Sequence, residues 1–140
     1  MRIGRFLGEF VDERGLGVVL AAETGFKVAS NPDLVRAPDA SFIRRQRLMG
    51  GLPRGFFDGV PDLAVEVVSP EDSKREVAEK VNMWLAHGAT SCWVADPASK
   101  TIAVHQIGQA PIRLSINDEL RDVPEFPGFT MSLKRVFATL

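Results

Sequence analysis

The segment Pro61-Asp62-Leu63-Ala64-Val65-Glu66-Val67-Val68-Ser69-Pro70 constrains this chain more than any other stretch. Its nearly unbroken apolar run has strand length, and such a run reads as a strand buried near the middle of a sheet. Pro70 has no backbone N–H, so the ladder stops at Ser69-Pro70. A helical pattern follows from about Asp72 to His87, with Val77, Val81, Trp84 and Leu85 as its buried stripe and Gly88 as its C-terminal cap. Next comes Cys92 to Ala95, apolar again, then the turn Asp96-Pro97-Ala98-Ser99-Lys100 and a second strand from Thr101 to Ile107, which makes a hairpin.

The flanking chain fits the same architecture. Ile3, Phe6, Leu7, Phe10 and Val11 fall on one helical stripe that Gly15 and Gly17 terminate. Val18–Ala22 and Phe26–Ala29 read as strands joined by a turn or bulge at Thr24-Gly25. Leu34–Ile43 is a further extended segment, in which Pro38 argues for an edge position or an interrupted ladder. Ile112–Ile116 reads as a short strand, and the end as an ordered coil from Pro124 to Phe129 leading into a short helix around Leu133–Ala138. Helices bracketing a run of strands give an α/β domain with a central mixed β-sheet flanked by helices.

Composition narrows the function classes. Seventeen Lys+Arg against eighteen Asp+Glu exclude a globally basic chain that coats nucleic acid by charge alone. One cysteine excludes a disulfide framework and a multi-Cys zinc site, and it suits a reducing cytoplasm. No apolar run approaches the length of a membrane span, about 18 residues. The expectation is a soluble cytoplasmic domain whose nucleic-acid affinity, if present, comes from a local patch.

Alternation along the central strand sets Leu63, Val65 and Val67 on one face, and Asp62, Ala64, Glu66 and Val68 on the other. A carboxylate on a central strand is costly unless it is paired or binds a cation; an exposed sheet face with Glu66 in water is the plain alternative. Lys80 flanks the buried stripe of the following helix, and Glu66 is its natural anionic partner. A lysine that snorkels to solvent explains the same placement. Asp39 stands between two extended stretches, where Asp is disfavoured. It is either a turn residue after Pro38 or a ligand for Mg²⁺, a hard cation that takes one or two carboxylates and keeps its waters. Asp62 and Glu66 lie about 13 Å apart along one strand, too far to grip one ion. Glu66 therefore needs a partner from another strand, and Asp39 is the best donor. Asp62 is left to close the turn at Pro61 or to support the site from behind.

These segments resemble the large bacterial family of Uma-type restriction endonucleases, a branch of the PD-(D/E)XK nuclease superfamily. The resemblance rests on Val35–Phe42, Pro61–Pro70, Glu79-Lys80, Gly88, Trp93-Val94-Ala95-Asp96-Pro97 and Pro127-Gly128-Phe129-Thr130, and it spans nearly the whole chain from Phe6 onward. It implies a single restriction-endonuclease-like domain over residues 1–140, lacking part of the usual N-terminal segment. It also implies a Mg²⁺-dependent phosphodiesterase, with Mn²⁺ as a substitute, whose acidic pair falls on Asp39 and Glu66. The superfamily pattern has a lysine two residues after the glutamate, where this chain has Val68. Lys80, from the next helix, is the candidate replacement. DNA is the expected partner and a homodimer the expected assembly. A catalytically degenerate nuclease-fold module that binds nucleic acid or protein is the rival expectation.

One local basic patch exists. Arg44, Arg45, Arg47 and Arg54 occur without an intervening acid, and Phe56 and Phe57 follow. Arginine forks suit phosphate oxygens, and the aromatics either stack on a base or anchor the loop. A solvated loop with both rings tucked beneath it fits the same residues. Cys92, Trp84 and Trp93 read as core, and His87 as favourable near a helix C-terminus.

Overall fold

A computed structural model of the chain describes residues 2–138. In chain order its elements are α1 (Ile3–Arg14), β1 (Gly17–Ala21), β2 (Phe26–Ala29), β3 (Leu34–Arg36), β4 (Ala40–Arg44), a 3-10 turn (Arg45–Leu48), β5 (Phe57–Asp58) and β6 (Leu63–Val67). Then follow α2 (Lys74–Ala86), β7 (Ser91–Asp96), β8 (Thr101–Gln106), β9 (Ile112–Leu114), β10 (Glu119–Leu120), β11 (Met131–Ser132) and α3 (Leu133–Val136). The main sheet has the order β1-β4-β6-β7-β8-β9, and within it only β6 and β7 are parallel, joined through α2.

Each helix ends where its sequence allows. Gly15 closes α1 in the left-handed conformation, φ 61°, so that the two N–H groups after the helix reach back to Asp12 and Val11 carbonyls. Ser73 opens α2 with a capping box: its hydroxyl accepts from the Glu76 N–H at 3.1 Å, and the Glu76 carboxylate accepts from the Ser73 N–H at 3.3 Å.

Both faces of the sheet are covered. Leu63 and Val65 pack with Leu7 and Val11 of α1, and with Phe42, Trp93 and Phe126, on one side. Ala64 and Cys92 pack with Val81 and Trp84 of α2, and with Phe26, on the other. A small sheet, β3-β2-β5, supplies Phe26 and shares this second side with α2.

Two expectations are refined here. The strands on either side of Thr24-Gly25 exist, but they do not pair with each other: β1 joins the main sheet and β2 the small one. The extended segment Leu34–Ile43 divides at Ala37-Pro38-Asp39 into β3 and β4, and β4 lies inside the main sheet between β1 and β6. Pro38 therefore marks an interrupted ladder rather than an edge strand. The β10–β11 pair is absent from the sequence reading, because strands of two residues carry no periodicity.

Candidate functional site

Glu66 is a buried carboxylate, 8% exposed, on the β6 face turned toward α2. This burial removes the alternative of an exposed sheet face. The Trp84 indole N–H donates to Glu66 Oε2 at 2.8 Å. The other oxygen, Oε1, accepts no hydrogen bond from the described residues. Burial raises the pKa of Glu66 above its ordinary value; the Trp84 hydrogen bond and the Lys80 charge oppose that shift, while the charges of Asp39 and Asp72 reinforce it. Sequence reasoning assigned Trp84 to the core, where it is fully buried. A buried carboxylate needs a donor, and an indole on the facing helix stripe was the signal that could have named it.

Asp39 is the residue just before β4. Continuing the β4–β6 register, in which Ala40 faces Val65, puts Asp39 opposite Glu66. The reason an aspartate sits there is local. The chain turns away at Pro38 toward the small sheet, so β6 loses its partner carbonyl, and the Val67 N–H donates instead to Asp39 Oδ2 at 2.7 Å. The Asp39 N–H in turn donates to the Val65 carbonyl at 3.0 Å. Asp39 also lines an open cleft of about 350 Å³ beneath the first turn of α1, together with Val65 and Val67; Glu66 is not part of that wall.

Lys80 lies one helical turn before Trp84 and is exposed. Its charge lowers the pKa of both Glu66 and Asp72, which places it within electrostatic reach of the two carboxylates. It forms no ion pair within 4.0 Å among the described residues. Cys92, fully buried on the neighbouring strand, has a thiol pushed far above its usual range, mainly by burial and further by Glu66. It has no thiolate character for nucleophilic chemistry.

The four arginines divide into two kinds. Asp62, 7% exposed at the other end of β6, accepts from the Arg44 N–H at 2.9 Å and from Arg47 Nη1 at 3.3 Å, and Arg44 Nε lies 3.7 Å from its second oxygen. Arg47 also lies over the Phe57 ring, 5.2 Å from its centroid. Asp62 thus pins the start of the loop at the end of β6 away from Glu66. Arg45 and Arg54 are exposed and make no ion pair among the described residues.

Among the described residues no group of three or more His, Cys, Asp or Glu side chains gathers to hold a metal. What the fold does bring to one end of β6 is a pair of carboxylates, exposed Asp39 and buried Glu66, and burial together with the neighbouring Asp39 charge disfavours ionisation of Glu66. Two hard oxygen donors side by side fit a divalent cation that keeps several waters.

The fold is similar to the crystal structure of "a putative nuclease belonging to DUF820" from Anabaena variabilis ATCC 29413. The TM-score is 0.82 at 23% identity, covering 96% of this chain and 75% of that one. No match is found among curated proteins. Among the described residues no helix is long and apolar enough to cross a membrane. Residues 1–134 match the Uma2 family, described as "Putative restriction endonuclease". By that match over almost its whole length, on a fold that a nuclease-named structure shares, this chain belongs to the Uma2 family.

Proposed function

We propose that this protein is a metal-dependent endonuclease that hydrolyses phosphodiester bonds of DNA, with Asp39 and Glu66 as its acidic pair and Mg²⁺, or Mn²⁺ in its place, as cofactor. The observation that carries this reading is the buried Glu66 carboxylate, held by Trp84 on one oxygen and opposed across the strand register by Asp39. When bound, the cation supplies charge to a phosphodiester oxygen and lowers the pKa of the attacking water.

The protein's own residues divide the rest of the work. Trp84 holds Glu66 through Oε2 and leaves Oε1 without a hydrogen bond from the described residues. The bond from Val67 N–H does the same for Asp39, leaving Oδ1. Lys80 keeps its ammonium in solvent near Glu66, where it orients the water or offsets the charge that builds on the phosphoryl oxygens. Arg45 and Arg54 are the exposed phosphate contacts, while Arg44 and Arg47 hold the loop through Asp62. Two copies joined through the β8–β9 end of the sheet, where Ile107 and Ile112 are 63% and 54% exposed, would suit cleavage of both strands.

A degenerate module that binds nucleic acid or protein is favoured by a specific observation: no third carboxylate joins the pair among the described residues, and one oxygen of Asp39 is committed to the backbone. Cleavage of plasmid DNA in Mg²⁺ separates the two. The enzyme reading expects nicking by the wild type and none by Glu66→Ala or Asp39→Asn. Equal nicking by all three would refute the site assignment, and no nicking by any of them would favour the module.

A further inference from the structure

The loop between β4 and β6 presents a second concave surface. Phe57 is its anchor: its N–H donates to the Gly25 carbonyl at 2.9 Å, and its ring packs 5.8 Å from that of Phe26. Phe56 does the opposite and is 60% exposed. One side of its ring rests on the bare backbone of Gly25, where an added Cβ would come within 2.8 Å of Phe56 Cδ1. The ring lines an open cleft of about 330 Å³, with Leu52 and Pro53 from its own loop and Glu23 and Thr24 from the turn after β1.

An exposed aromatic ring seated on backbone asks for a flat partner. The charge of its own loop narrows the choice: exposed Arg54 stands between Pro53 and Gly55, which both line the cleft. Between Asp39 and Asp58 the chain carries Arg44, Arg45, Arg47 and Arg54 and no acidic residue. A ligand that offers an apolar flat face on a polyanionic backbone is a nucleic acid with a base out of its stack. The polar groups at the rim match it: the Glu23 carboxylate and the Thr24 hydroxyl are acceptors for exocyclic amino groups of bases. We propose that this cleft receives one unstacked base of bound DNA, with Phe56 as the stacking platform and Arg54 and Arg45 on the adjoining phosphates. The proposal rests on the reading of this protein as a DNA-binding nuclease and adds the class of DNA it prefers.

The test uses a perfect duplex and the same duplex with a single bulged 2-aminopurine, titrated with the full chain in EDTA so that no strand is cut. The wild type should bind the bulged duplex about 5- to 150-fold more tightly, the range of base–aromatic stacking, and should quench the 2-aminopurine. Phe56→Leu keeps the apolar bulk and should lose both the preference and the quench, with affinity for the perfect duplex unchanged. Arg54→Ala should weaken both duplexes equally. Because Phe56 is exposed, circular dichroism melting should match the wild type. Bulge preference retained by Phe56→Leu, or absent in the wild type, overturns the base cleft. Plasmid cleavage in Mg²⁺, run beside it, separates the two levels. Cleavage without bulge preference overturns only the cleft. Bulge preference without cleavage supports the cleft and overturns the nuclease reading. A protein that binds neither duplex and leaves the plasmid uncut overturns both.

Discussion

Glu66 has its ionisation opposed by burial first and by Asp39 and Asp72 after that, so its folded-state pKa stands above the ordinary 4.5. The folded protein then binds more protons than the unfolded chain as pH climbs from about 4.5, and stability falls across that window. Glu66→Gln keeps an acceptor for the Trp84 indole and removes the charge. It should therefore be more stable than the wild type at neutral pH in the absence of metal, with the advantage gone below about pH 4.5. Urea titrations at several pH values check this; parallel pH profiles for the two proteins would contradict it. Trp84→Phe removes the donor and leaves the carboxylate less satisfied, which should cost about 1–3 kcal/mol beyond the lost packing. At this scale the sequence reads partly. Alternation places Glu66 opposite Leu63 and Val65, and the disfavoured residue type singles out Asp39. Trp84 is legible as a candidate donor from its place on the helix stripe, but the bond itself is not, because the direction of an indole N–H depends on how α2 is rotated over the sheet.

The loop of four arginines behaves as one element in sequence and as two in space. Arg47→Ala breaks the bond to buried Asp62, so it should lower stability by about 1–3 kcal/mol. Arg45→Ala and Arg54→Ala should leave stability unchanged and each reduce the slope of log K against log[salt] by about 0.9 on duplex DNA. Denaturation curves and binding isotherms over a salt series read the two effects separately; a flat salt response in the wild type would remove this loop from DNA contact. Helix and strand placement is legible wherever periodicity and end signals agree. α1 with Gly15, α2 with Gly88, β6 before Pro70 and the β7–β8 hairpin all follow from local chemistry, while the capping box at Ser73 was supplied by the structure. The division of β1 and β2 between two sheets and the pairing of β10 with β11 are not, since those partners are distant in sequence.

Across the whole molecule, seventeen basic and eighteen acidic residues average over unlike regions. Carboxylates gather at the C-terminal end of β6, and arginines gather in the loop that Asp62 pins at its N-terminal end. A near-neutral total is therefore compatible with DNA contact that is local and sensitive to salt. The mixed sheet with helices on both faces is the architecture the resemblance implies, and the Uma2 match agrees with it. The central claim is narrower than the fold: Asp39 and Glu66 act together as one cation site. Calorimetric titration of Mn²⁺ into the wild type, Glu66→Ala and Asp39→Asn tests it most directly. Saturable binding by the wild type that is lost in Glu66→Ala and weakened in Asp39→Asn is the predicted result; equal binding by all three, or none by the wild type, would contradict it.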